Sequence, residues 1–169
     1  MTDPRVLRSR AKVLAAAADL IVERGLPGVA VEHITARSGV AKTTIYRQWP
    51  TLAPLLFDAV VEALPPVPDA DGDVVAYLCA LADSLDARSV ALIGALGVGA
   101  RTDPALAELN REFVRQRREP LRAMLVAAGH TDVDTLLAAL GGAIFYWRLV
   151  ATEPVDRAAV ETLVTRVLG

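Results

Sequence analysis

The chain is poor in the residues that anchor small secreted folds, metal centres and most active sites. It has a single cysteine, Cys79, in 169 residues. No intrachain disulfide or cysteine-based zinc site can form from one thiol. It has two histidines, His33 and His130, and neither lies near a second ligand in sequence, so no metal site is expected. Aromatics make up only 5%. Alternating β-branched runs are scarce. No apolar stretch reaches the roughly 18 residues of a membrane span without a charge or a breaker. The basic start, MTDPRVLRSR, is not followed by an apolar segment and a small-residue cleavage site, which argues against a secretory signal. A cytoplasmic protein is expected, without a membrane partner. No nucleophile elbow surrounds Ser38, Ser84 or Ser89, and no His-Glu-x-x-His pattern occurs. Gly94, Gly97 and Gly99 follow no strand and precede no Gly-Lys-Ser/Thr, so they are not a phosphate loop. No catalytic residue, no enzyme activity and no cofactor are expected.

Apolar residues make up 53% of the chain, and alanine, the strongest helix former, dominates them. The length suffices to bury a core without staples. An all-α fold follows, with about nine helices. Residues 5–24 carry Val6, Leu7, Val13, Leu14, Ala17, Leu20 and Ile21 at helical spacing, and Gly25 closes the pattern. LPGVA reads as a loop. Pro50 stops a third helix, Thr51 is placed to cap a fourth that ends near Leu64, and the Pro- and Asp-rich 65–73 marks a boundary. Beyond it, helices are expected over 73–87, 88–100, 104–128, 132–151 and 155–168. Asp103-Pro104 is a helix start, and Pro120 should kink or divide the seventh helix near Glu119. The expected domains are 1–50, a connecting helix 51–64, and a body 65–169.

Charge is unevenly spread. Residues 1–50 hold eight Lys/Arg against four acids, a net +4, and residues 51–169 hold ten against sixteen, a net −6. A basic head on an acidic body suits a polyanion-binding module.

That head contains the most informative stretch, Val31 to Pro50, VEHITARSGVAKTTIYRQWP. Two short helical patterns flank Gly39, which permits the positive φ of a tight turn. The second pattern places Lys42, Thr43, Thr44, Tyr46, Arg47 and Gln48 within about two turns, as a helix-turn-helix does. Ile34, Val40, Ile45 and Trp49 would form the module's small core.

RAKVLAAAADLIVERG, then VEHITARSGVAKTTIYRQWPT and LLF, resembles the N-terminal DNA-binding domain of the tetracycline-repressor (TetR/AcrR) family. The end of the chain, about Leu140 to Leu168, is similar to the last two helices of one branch of that family. The resemblance implies a regulator, most simply a repressor, whose third helix enters the major groove of a double-stranded operator. Arg37, Lys42, Thr43, Thr44, Tyr46, Arg47, Gln48 and Thr51 are then the DNA-contacting candidates, with Arg5, Arg8 and Arg10 reaching the backbone as a basic arm. The family's usual Thr or Ser before helix 2 is replaced at Val29-Ala30, its Ser cap on helix 3 by Ala41, and its phosphate-touching Lys at helix 4 by Leu52. Weaker or more salt-fragile DNA binding is expected from these losses.

The resemblance also implies a homodimer through the last two helices, with Leu137, Gly141, Ile144, Arg148, Ala159 and Leu163 at the interface. Packing of the same face inside its own chain is the plainer alternative. Tyr77, Leu81, Leu92, Leu96, Phe113, Arg117, Met124, Phe145 and Trp147 could line a pocket for a small apolar or amphipathic ligand, and they could equally be ordinary core. A helical dimer that has lost operator binding is the rival reading.

Overall fold

The computed structural model describes residues 4–69 and 71–169, so Ala70, inside the expected boundary stretch, lies outside the described residues. Every regular element among the described residues is helical. The α-helices are α1 (Pro4–Arg24), α2 (Val31–Ser38), α3 (Lys42–Gln48), α4 (Leu52–Ala63), α5 (Val74–Ser84), α6 (Ala87–Gly99), α7 (Pro104–Ala127), α8 (Val133–Phe145) and α9 (Arg157–Leu168).

The helices form two compact units, one of residues 1–65 and 91–112, the other of residues 66–90 and 113–169. In the first, α1 packs against α4 and α2. Val13, Leu14, Ala17, Leu20 and Ile21 from α1 and Leu55, Leu56, Ala59 and Val60 from α4 are buried, as are Ile34, Ile45 and Trp49. Val40 is only half-buried. Residues 91–112, placed with the body by the sequence, pack in this unit. Gly99 explains how closely α6 can approach: a Cβ there would stand 2.9 Å from Leu26 Cδ1 and 3.2 Å from Leu106 Cδ1. In the second unit α5 packs on α8 and α9, and α8 on α9. Leu78, Leu125, Leu140, Ile144 and Val160 are fully enclosed.

Several boundaries differ from the sequence reading for local reasons. The LPG of the first loop is a single 3-10 turn, Leu26–Gly28. The fifth helix stops at Ser84 because Asp86 starts the next one, its Oδ1 accepting from Ser89 N–H at 2.7 Å. Pro120 does not divide α7, which runs through it. The proline has no N–H for the residue 116 carbonyl, yet the turns on either side carry the helix. The eighth helix ends in a π-helical turn, Tyr146–Ala151, closed by Glu153 N–H on the Trp147 carbonyl at 2.9 Å.

Side-chain capping is uneven among the helices, and α8 starts at Asp132 without a cap bond. Asp73, Asp86, Asp103 and Asp156 each accept from a first-turn N–H of α5, α6, α7 and α9 at 2.7–3.0 Å. The helices α2, α3 and α4 start at Ala30, Ala41 and Thr51 without a side-chain cap. Thr51 therefore holds the N-cap position but not the expected capping bond.

Candidate nucleic-acid interface

The turn between α2 and α3 is made by Gly39, which caps α2 in the left-handed region at φ 69°, ψ 11°. A residue with a Cβ would be strained there. Ser38 Oγ accepts from Val40 N–H at 3.2 Å and steadies the same turn. The chain then enters α3, whose Ile45 is buried and whose following residue Trp49 is 3% exposed. Those two anchors fix which face looks outward. Lys42, Thr43, Tyr46 and Arg47 are exposed, with Thr44 and Gln48 half-buried beside them. Thr51 is exposed just beyond. The sequence candidates on α3 thus form one continuous polar face.

The anchor is held by charge as well as by packing. Trp49 donates its indole N–H to Asp58 Oδ2 at 2.9 Å. Arg10 Nη2 reaches the same oxygen at 2.7 Å, and its guanidinium lies 4.8 Å from the Trp49 ring centroid. This node joins α1, the end of α3 and α4. Arg10 was expected in a backbone-reaching arm; its guanidinium is instead engaged inside the head. Nothing in the spacing of Arg10, Trp49 and Asp58 singles out this triad, because it spans three helices.

Two candidate cations, Arg37 at the end of α2 and Lys42 at the start of α3, carry carboxylate partners. Arg37 donates to both oxygens of Glu23 at 2.6 and 2.9 Å. Lys42 Nζ donates to Glu32 Oε1 at 2.5 Å and lies 5.7 Å from the Tyr46 ring centroid. The hydrogen bond from Arg37 holds the Glu23 carboxyl below its ordinary range, and that from Lys42 does the same for Glu32. The reciprocal bonds raise Arg37 and Lys42. Both carboxylates are therefore ionised near neutrality.

At the start of α2 the missing hydroxyl is partly replaced. Ala30 offers no acceptor, but its own N–H donates to His33 Nδ1 at 3.2 Å. His33 sits at the third helical position, where a capping box places Glu or Gln. His33 has no second metal ligand near it in sequence; its position three residues after Ala30 was the available signal for this bond.

The remaining candidates fall in different places. In the second unit Tyr77 is buried and its hydroxyl donates to the Arg117 carbonyl at 3.3 Å. The Arg117 guanidinium lies 5.4 Å from the Phe113 ring centroid. Burial pushes the Tyr77 phenol up and the Arg117 guanidinium down. Leu81, Met124, Phe145 and Trp147 are half-buried in that unit, whereas Leu92 and Leu96 are buried in the first. Leu137 and Ile144 are 3% and 0% exposed. They pack inside their own unit because they share the inward face of α8 with Leu140. Arg148 donates through Nε and Nη2 to the Leu85 carbonyl at 3.2 and 2.7 Å, closing the end of α5. Gly141, Ala159 and Leu163 are half-buried. The open side of α8 is a different row, Ala138, Ala139 and Gly142, continued by Tyr146 at 57% and Val150 at 67% exposure. Val133–Ala151 is long and apolar enough, by length and composition alone, to cross a membrane.

Known proteins share this arrangement. Residues 13–59 match the family described as bacterial regulatory proteins, tetR family, and residues 64–167 match the tetracyclin repressor-like C-terminal domain. The HTH-type transcriptional regulator YdeS of Bacillus subtilis is 30% identical, over 95% of this chain and 88% of its own length. The crystal structure of the TetR family transcription regulator SCO0332 is 32% identical, with a TM-score of 0.63 over 95% of this chain and 96% of that one. The multidrug binding protein EbrR, in complex with imidazole, is 25% identical with a TM-score of 0.62 over 94% and 93%. With its exposed polar α3 set on a glycine turn, the chain belongs to the TetR family and is a DNA-binding transcriptional regulator.

Proposed function

We propose that the protein is a homodimeric, ligand-responsive repressor in which each copy places α3 in one half of a pseudo-palindromic operator. The observation that carries this reading is the outward face of α3, Lys42, Thr43, Thr44, Tyr46, Arg47 and Gln48, set on buried Ile45 and Trp49. Its hydroxyls, phenol and cations match what positions a helix against phosphates and base edges. Gln48 can pair with adenine, and Thr51, whose hydroxyl makes no cap bond, adds a donor beside phosphate. The relatives' description as transcriptional regulators supports the same assignment.

A second copy is the occupant assigned to the open side of α8. Ala138, Ala139 and Gly142 let a partner helix approach closely, and Tyr146 and Val150 supply exposed apolar area. Gly141, Ala159, Leu163 and Arg148 flank or support this surface, and Leu137 and Ile144 back it from inside. A two-fold dimer also suits an operator of two half-sites one helical turn apart. The protein works in the cytoplasm, where its DNA is.

A small apolar or amphipathic ligand would bind in the second unit near Tyr77, Phe113 and Arg117, with Leu81, Met124, Phe145 and Trp147 as further candidates in that unit. It regulates only if it binds the operator-free form more tightly than the bound form.

Light scattering on the eluting protein tests the assembly. A dimer at micromolar concentration that Tyr146→Asp with Val150→Asp converts to a folded monomer is expected; a wild-type monomer contradicts it. The uncapped starts at Ala30 and Ala41 and the apolar Leu52 favour the rival reading, a dimeric interaction module with weakened DNA binding. Specific retardation of the DNA upstream of its coding region at low salt decides against that rival.

A further inference from the structure

Lys42 opens the face of α3, and its exposed ammonium is paired with a carboxylate. Glu32, in the first turn of α2, accepts from it at 2.5 Å, and the Tyr46 ring centroid lies 5.7 Å from it. The two partners come from different helices and are both solvent-exposed. A phosphate approaching Lys42 meets a carboxylate fixed beside the cation. Seen from several ångströms away, the pair is close to neutral, and the attraction a lone ammonium would exert is largely cancelled. Binding to arbitrary DNA rests almost wholly on such phosphate attraction, whereas operator binding adds base contacts. A carboxylate that withholds one cation therefore weakens the first kind of binding more than the second.

We propose that Glu32 is a specificity-determining residue: it sequesters Lys42 from the phosphates of non-operator DNA and yields it when base contacts seat α3 on the operator. The inference rests on the reading of α3 as the DNA-contacting helix. The Arg37–Glu23 pair lies at the other end of α2, so it provides an internal comparison on the same helix.

The test uses the full-length protein and two fluorescent duplexes of equal length. One is selected from a random pool by binding to the wild type, and the other is its scrambled sequence. Affinities are measured by anisotropy over a salt series for wild type, Glu32→Gln, Lys42→Gln and the double variant. Glu32→Gln should tighten binding to the scrambled duplex several-fold and steepen its log–log salt dependence by about 0.9, one added phosphate contact. Binding to the selected duplex should tighten less, so the ratio of the two affinities falls. In the Lys42→Gln background the same change should remove only the repulsion of a bare carboxylate, tightening both duplexes alike and leaving the ratio of the two affinities unchanged. In the wild-type background, equal tightening on both duplexes or no tightening, or an equal fall in the affinity ratio without Lys42, overturns the inference while leaving α3 as the DNA helix. A folded wild type that retains no duplex from the pool overturns the underlying reading instead.

Discussion

Trp49 donates its indole N–H to Asp58 at 2.9 Å, tying the end of α3 to the middle of α4. Arg10 shares the same carboxylate oxygen. Asp58→Ala would leave the buried indole N–H without its acceptor and Arg10 without its counter-charge. Discounted for the partial exposure of the pair, a loss of about 1–2 kcal/mol is expected. Denaturant unfolding should show it, with a shift in Trp49 emission, and operator affinity should fall with the positioning of α3. Unchanged stability would mean the node does not hold the head together.

The helices α2, α3 and α4 start without side-chain caps, while α5, α6, α7 and α9 start on aspartates that accept from the first turn. Ala41 already has the extended backbone of an N-cap, φ −60° and ψ 140°. Ala41→Ser should therefore supply an acceptor for the first turn of α3 and stabilise by about 1 kcal/mol. Ala30→Thr should do the same for α2, with His33 retaining its bond to the residue 30 N–H. Hydrogen exchange checks where the gain falls: α2 and α3 should slow while α8 and α9 do not.

Leu52 occupies the first position of α4, where the family's phosphate-contacting lysine is expected. Leu52→Lys should steepen the log–log salt dependence of operator binding by about 0.9. A slope equal to that of wild type would show that this position does not approach phosphate.

The Glu23–Arg37 and Glu32–Lys42 pairs predict an acid response of defined sign. Both carboxyls have folded values below the ordinary 4.5, the first-named cause being the hydrogen bond from the cation. Their contribution to stability is thus full above that value and is lost as pH falls through the lowered folded values. The stability difference between wild type and a Glu23→Gln, Glu32→Gln variant should be constant near neutrality and vanish in acid. Because both pairs are exposed, the effect is small and should shrink with added salt.

The all-helical fold and the polar face of α3 were legible because they are periodic and local. Ile45 and Trp49 fall four apart, and the glycine at residue 39 marks the turn between two helical patterns. The division into units was less legible. Residues 91–112 follow the Pro-rich boundary in sequence, yet they pack with the head, since Gly99 admits Leu26 and Leu106 at close range. Leu137 and Ile144 share a helix with exposed Ala138 and Gly142, and apolarity alone does not say which stripe turns inward. The Arg10–Trp49–Asp58 node and the carboxylate partners of Arg37 and Lys42 join different helices, and no sequence spacing encodes them.

The role proposed for the outward face of α3 is to bind operator DNA. Anisotropy titration of the selected duplex with wild type, Tyr46→Ala and Arg47→Ala measures it directly, with unfolding curves confirming that all three are equally folded. Specific binding by wild type, weakened at least about tenfold by either exposed substitution, is the predicted result, within the range of a lost charged or stacked DNA contact. Equal affinity of all three proteins for selected and scrambled duplexes would contradict it.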